Sequence, residues 1–261
     1  MAALPRSRRL LLVRLGPGRV RRAHPRRARQ ERLPALRHDR GAHGPRRRHA
    51  RLQLSEAPKG LVDQHGGWDG VYKAVKAEEL PWNAGAPDSD LVRLADAGAL
   101  PLGRALDVGA GPGHDAAFLA ARGWSVLAVD LSGEALKLAA KTVRAEGQQG
   151  RVTLREVDIL KLKEPAESFA LVHDRGCFHT LAEADRPRYV AQMTRILQPG
   201  GKVVLRTFSD HEPAGPGPHR FSKDELEALW AKLFHFEDFR TGIFEGPRKP
   251  KAYLSLLRKK G

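Results

Sequence analysis

The sequence predicts a doubly wound α/β domain, and three observations predict it. Short apolar runs alternate with helical patterns from about residue 104 onward. A glycine-rich turn, Gly109-Ala110-Gly111-Pro112-Gly113, joins the first run to the first of those helices. The last two runs are separated only by a Gly246-Pro247 turn signal. Strand-helix alternation implies right-handed crossovers, so the strands lie parallel in one sheet with helices on both faces. The final pair has no helix between its members and so closes the sheet as an antiparallel hairpin. The expected sheet is mostly parallel and seven-stranded.

Each element has a local reason. Trp68 to Lys76 and Asp88 to Ala97 read as short helices joined by Leu80-Pro81-Trp82-Asn83. Ala105 to Val108, Trp124 to Val129, Val152 to Val157, Phe169 to His173 and Lys202 to Phe208 are the successive parallel strands, and Phe234 to Phe244 with Lys251 to Leu257 form the hairpin. Helices are expected over 114–122, 133–146, 186–197 and 223–233. Ser132 caps the second of these and Asp185 the third; Ser222 and Glu225 make a capping box on the fourth, with Phe221 and Leu226 as its hydrophobic staple.

Charge divides the chain. The formal net charge is +16, yet residues 1–52 hold 17 Arg, no Lys and only two acids, which leaves the other 209 residues at +1. That segment also lacks aromatic residues and periodicity, so 1–52 is expected to be a disordered tail. Arg without Lys among Ala, Gly, Pro and His favours a non-functional extension over a transit peptide or a basic arm. Residues 53–65 read as a linker and 66–261 as the folded domain. One cysteine, Cys177, allows no internal disulfide or thiolate cluster, and a reducing, cytoplasmic setting is the natural expectation. No apolar run is long enough to span a membrane, and the spacing of His65, His114 and Asp115 matches no metal-ligand pattern.

Three acids end three successive strands. Asp107 precedes the glycine turn, where a negative charge disfavours pyrophosphate and suits a ligand with positive charge nearby. Asp130 follows 21 residues after Gly109, where a carboxylate can accept both hydroxyl protons of a ribose. Asp158 can accept from an exocyclic adenine amine, with Leu131 and Ile159 flanking the ring. One such Asp is as easily a loop cap, but three converge on the crevice where open sheets bind ligands. The glycines fall as G-x-G-x-G rather than the dinucleotide G-x-G-x-x-G, which leaves a nicotinamide oxidoreductase as an alternative.

On Asp107-x-Gly109-x-Gly111-x-Gly113, Val129-Asp130-Leu131-Ser132, Asp158 and Leu197-Gln198-Pro199-Gly200-Gly201-Lys202, the chain resembles the class I S-adenosylmethionine-dependent methyltransferases over roughly residues 66–258. The resemblance implies that Gly109, Gly111 and Gly113 approach the methionine part of S-adenosylmethionine, that Asp130 holds the ribose, that Asp158 meets the adenine amine and that Asp107 lies near the amino group. Phe169 to Gly176, with Trp68, Tyr72 and Pro81-Trp82-Asn83, is similar to the thiopurine and tellurite-resistance branch. In that branch the Arg of Asp-Arg-Gly faces the acceptor, so Arg175 is the expected substrate contact, Asp174 shapes the pocket floor and Trp82 lids the cofactor or acceptor. His179 is a candidate proton acceptor, and Cys177 a small buried hydrophobe. Residues 174–179 carry no Asp/Asn-Pro-Pro-aromatic motif, so a small-molecule acceptor, at sulfur or oxygen, is expected in place of nucleic acid. An RNA-modifying enzyme using the basic tail is the other alternative.

Overall fold

The computed structural model describes residues 60–261. The tail, and with it the expectation of disorder, lies outside the described residues.

Four short elements come first: α1 (Leu61–Gln64), α2 (Trp68–Ala74), a 3-10 turn (Ala77–Glu79) and α3 (Ser89–Asp96). Then follow β1 (Arg104–Val108), α4 (His114–Ala121), β2 (Ser125–Asp130), α5 (Gly133–Ala145), β3 (Val152–Glu156) and β4 (Phe169–Arg175). After β4 come α6 (Arg186–Ile196), β5 (Leu197–Phe208), α7 (Lys223–Trp230), β6 (Phe234–Ile243) and β7 (Lys251–Lys259). The sheet order is β3-β2-β1-β4-β5-β7-β6; β7 runs antiparallel to both its neighbours and the other pairs are parallel. The order reverses between β1 and β4, which opens a crevice at their carboxyl ends.

The two faces of the sheet bury different layers because alternate side chains point to opposite sides. Leu106, Val108, Leu127, Val129, Val172, Val203 and Leu205 meet α6 and α7 through Tyr189, Met193, Leu226 and Trp230. Ala105, Val126, Ala128, Leu171 and Val204 meet α3 and α4 through Leu91, Leu94, Ala116 and Leu119. On the first face Phe178 packs against Tyr189, Phe221 and Trp230 with ring centroids 5.1, 5.2 and 5.5 Å away. That aromatic cluster anchors the turn leaving β4, and truncating such a residue costs about 3–5 kcal/mol.

Several boundaries differ from expectation. Strand β4 continues two residues past His173, so Asp174 and Arg175 are strand residues paired with Leu205 and Arg206. Strand β5 begins at Leu197, and its register jumps from Phe169↔Leu197 to Leu171↔Lys202, so the Pro199-Gly200 stretch is an irregularity within a strand. Helix α7 stops at Trp230. Asp185 does not cap α6: a 3-10 turn, Glu183–Asp185, runs straight into the helix with Asp185 already in a helical conformation. Its carboxylate pairs with Arg188 Nη1 at 2.6 Å instead. Ser132 accepts from Ala135 N, and Ser222 with Glu225 forms the capping box, both as expected.

Candidate active site

The glycine turn leaves β1 and enters α4 with Gly109, Gly111 and Gly113 at φ of 65°, 52° and 81°, a backbone only glycine adopts without strain. Gly113 answers to packing: a Cβ there would lie 2.8 Å from Ala139 Cβ, so its smallness lets α4 and α5 approach. The other two face the crevice. A Cβ on Gly109 would meet Cys177 Cβ at 3.0 Å, and one on Gly111 would meet Tyr72 Oη at 3.1 Å.

Asp130, at the end of β2, ties this turn to the next. Its Oδ2 accepts from Gly111 N and its Oδ1 from Ser132 N, both at 2.9 Å. Burial raises its pKa, and the backbone donors oppose that rise only in part. Leu131 beside it is 61% exposed, an apolar surface next to a buried carboxylate. Asp158 caps the 3-10 turn Ile159–Lys161 by accepting from Leu160 N, while Ile159 is buried.

The segment before β1 covers this end of the sheet. Trp82 Nε1 donates to Tyr72 Oη at 2.9 Å, and the Trp68 and Tyr72 rings lie edge-on to Trp82 at 5.5 and 5.9 Å. Burial, then the Asp130 charge, pushes the Tyr72 phenol well up, so it stays protonated. Asp69 on α2 accepts from Ser132 Oγ at 2.5 Å and fastens the cover to the start of α5.

On the other side of the crevice Asp174 is fully buried and organises the turn after β4. It accepts from Gly176 N, Cys177 N, Phe178 N and, at 2.5 Å, Tyr189 Oη. Burial raises its pKa to about 6 despite these donors. Burial also pushes the Cys177 thiol well up, reinforced by the Asp174, Asp130 and Asp158 charges, so it stays a thiol packed on the core. His179 Nδ1 accepts from Phe208 N at 2.9 Å, which puts its hydrogen on Nε2. Burial lowers its pKa to about 3, helped by His219 and Arg175. The ring stacks edge-on against Phe208 and leans on Phe244.

Arg175 is not free to greet a ligand. Nε donates to Asp88 Oδ2 at 3.0 Å, Nη1 to Trp82 O at 3.0 Å and Nη2 to Glu245 O at 2.8 Å; the side chain is 12% exposed. Asp88 also receives Arg206 Nη2 at 2.9 Å, and Arg206 is held further by Asp90 and Ile243 O. A connected set of buried charges continues to Asp115, whose Oδ1 accepts from Asp88 N at 2.7 Å. Asp115 Oδ2 lies 4.0 Å from His173 Nδ1, and that nitrogen is 3.1 Å from Asp107 Oδ1. Burial works against a charged His173, but Asp115 and Asp107 outweigh it and raise its pKa to about 9. Asp107 Oδ2, buried beneath the glycine turn, has no hydrogen-bond partner among the described residues. An unpartnered buried carboxylate oxygen is suited to a cation, and the exposed Leu131 beside Asp130 to a ribose-bearing ring; these features fit S-adenosylmethionine.

The structure thus brings Asp107, the glycine turn, Asp130 with Leu131, Asp158 with Ile159, and Cys177 to one crevice. Trp82 and Arg175 meet each other at its edge. The sequence pattern marks His173 and Arg206 only as strand residues and Asp88 only as the start of a helix, and gives Asp90 and Glu245 no place in the site. Their charge was visible, but only the β4–β5 register and the placement of α3 put them in contact.

The chain is similar to known proteins over this same region. The family described as "Methyltransferase domain" matches residues 105–201. The Arabidopsis thaliana probable thiol methyltransferase 2 is 31% identical over 197 residues, 74% of this chain and 85% of the relative. Thiocyanate methyltransferase 1 of Brassica oleracea is 31% identical over 200 residues, 75% and 86% of the two chains. Among solved structures, the Burkholderia thailandensis 1,6-didemethyltoxoflavin-N1-methyltransferase with bound S-adenosylhomocysteine superposes with a TM-score of 0.51 at 27% identity, over 66% of this chain and 76% of that one. A protein solved in work on conversion of a disulfide bond into a thioacetal group during echinomycin biosynthesis superposes with a TM-score of 0.63 at 27% identity, over 74% and 91%. With 31% identity over 85% of the Arabidopsis thaliana relative and the methyltransferase-domain match over residues 105–201, the chain belongs to the class I S-adenosylmethionine-dependent methyltransferases.

Proposed function

We propose that the chain transfers the methyl group to a small sulfur nucleophile that arrives as an anion or a readily ionised thiol. The observation that carries this is the state of His179. Its Nδ1 is taken by Phe208 N, its Nε2 holds the hydrogen and its pKa lies near 3, so it has no lone pair to offer an incoming proton. A nucleophile that needs no general base suits such a wall. The Phe208 and Phe244 rings, 5.3 Å apart, add an apolar surface that favours a weakly hydrated, polarisable anion over an amine. S-adenosylmethionine, when bound, supplies a methyl group on a positively charged sulfur, and the protein's part is chiefly to align and desolvate.

In this reading Asp130 and Leu131 hold the ribose and its ring, Asp158 and Ile159 the adenine, Gly109 and Gly111 the methionine portion, and Asp107 the ammonium. Gly113 serves by packing. Arg175, Asp174 and Trp82 set the shape of the acceptor side, and His179 is part of its wall. The names of the plant relatives, thiol and thiocyanate methyltransferase, support sulfur. Oxygen is the second reading: a Mycobacteroides abscessus relative, 28% identical over 177 residues, is named 2-heptyl-1-hydroxyquinolin-4(1H)-one methyltransferase. A small acceptor needs no basic arm, and a cytoplasmic setting suits the single cysteine. No helix among the described residues is long and apolar enough to cross a membrane.

A screen with methyl-labelled S-adenosylmethionine against thiocyanate, sulfide, acidic thiols, phenols, hydroxyquinolones, amines and transfer RNA tests the proposal. Labelled product from the sulfur group is the expected result. Turnover confined to amines or RNA would overturn it.

A further inference from the structure

Beneath the glycine turn lies a buried group of charges that methyl transfer itself does not require. Asp107 on β1 and His173 on β4 are register partners across the parallel ladder, and their side chains emerge on the same face. His173 is 1% exposed and its Nδ1 lies between two carboxylates, 3.1 Å from Asp107 Oδ1 and 4.0 Å from Asp115 Oδ2 on α4. Asp115 is kept in place from the α3 side by Asp88 N. The same imidazole therefore fixes one oxygen of Asp107 and leaves the other, Oδ2, buried without a partner among the described residues. A buried acceptor left in that state is unfavourable until something donates to it.

We propose that His173 is a positioning residue for the cofactor: held between Asp107 and Asp115, it locks Asp107 so that Oδ2 meets the ammonium of the bound methionine moiety. The proposal rests on the reading of Asp107 as the ammonium site. Charge supports it as well as geometry. Two carboxylates and one imidazolium leave one net negative charge, which a single ammonium neutralises, while Asp88 is already matched by Arg175 and Arg206. Without the imidazole the two carboxylates face each other in a buried site and one of them takes up a proton: the net charge stays at one negative, but nothing fixes that charge on Asp107 or holds its Oδ2 toward the ammonium.

Isothermal titration with two ligands isolates this role. S-adenosylhomocysteine carries the ammonium; 5′-methylthioadenosine keeps the adenosine and thioether but lacks it. His173→Leu is expected to weaken S-adenosylhomocysteine about ten-fold, while 5′-methylthioadenosine stays within about two-fold of wild type. His173→Asn restores a donor near the Nδ1 position, so its selective loss should be smaller, about three-fold. Asp107→Asn should show the same selectivity as His173→Leu. Equal weakening of both ligands, or no weakening of S-adenosylhomocysteine, overturns the proposal. If His173→Leu does not fold, the same two criteria are applied to His173→Asn. Failure of the wild-type protein to bind S-adenosylhomocysteine would instead remove the cofactor reading beneath it, and a non-selective Asp107→Asn the ammonium site alone.

Discussion

Arg175 Nε donates to Asp88 Oδ2 at 3.0 Å, and Arg206, its register partner on β5, brings its own Nε to 2.8 Å from the same oxygen. One carboxylate from the covering segment is thus the shared counter-ion of two guanidinium groups on neighbouring strands. Burial would raise the pKa of Asp88, but Arg206, His173 and Arg175 reverse that and hold it below the usual carboxylate range. Arg175 also bonds Trp82 O and Glu245 O, so the residue that the family resemblance places at the acceptor latches the cover, the sheet and the stretch before β7 together.

Arg175→Ala should therefore cost stability, because it leaves Asp88 with one cation fewer in a buried site. Breaking such a pair costs about 3 kcal/mol. Urea unfolding should show a lowered midpoint together with lowered turnover, and Arg175→Lys, which keeps the charge but not the fork, should fall between. An unmoved midpoint with lost turnover would return Arg175 to direct contact with the acceptor.

Asp130→Ala removes the acceptor for both Gly111 N and Ser132 N and the proposed ribose contact. Calorimetry should show S-adenosylhomocysteine bound at least about 100-fold more weakly, equivalent to about 2.7 kcal/mol. Affinity within a few-fold of wild type would contradict the assignment.

Gly113→Ala should destabilise by about 2 kcal/mol or more, since the new methyl meets Ala139 at 2.8 Å in a backbone with φ of 81°. Gly85→Ala, with φ of 68° but nothing among the described residues within 4 Å, carries the backbone cost alone and is the control. Similar melting temperatures for the two variants would show that the α4–α5 approach is not tight.

His179 should leave no mark on the pH dependence of kcat/KM. His179→Asn is expected to change the height of the profile between pH 6 and 8 but not its shape. Disappearance of an ascending limb near neutral pH in that variant would restore the residue as a base.

His173 should appear in the stability profile instead. Its folded pKa, about 9, is above the unfolded value of 6.5, so its contribution is fully present below about pH 6.5 and is lost as pH rises through 9. The groups facing it are Asp107 on β1, Asp115 on α4 and Asp88 ahead of α3. Unfolding free energy should fall by up to about 3 kcal/mol between pH 6.5 and 9.5 in the wild type and less steeply in His173→Asn. Parallel curves for the two proteins would assign the imidazole no such role.

The strands, the glycine turn, the three acids and the closing hairpin were legible because each depends on local pattern: period-two apolar runs, a capping serine, a turn that needs positive φ. The Asp185 cap failed because a 3-10 turn consumed the residue before its side chain could face the helix end. The end of β4 failed because polar Asp174 and Arg175 look like loop, whereas Tyr189 Oη and Asp88 satisfy them inside the protein.

By itself the sequence determined the α/β class, the order of elements and the place of the ligand crevice, since hydrophobic period and turn chemistry act between near neighbours in the chain. Only the tertiary structure decided what the polar residues do there. Asp88 reaches Arg175 across 87 positions, and Asp107 reaches His173 across 66. Such partners are chosen by strand register and by burial, which makes an unpaired charge too costly to leave alone, and neither is written in any short stretch of residues.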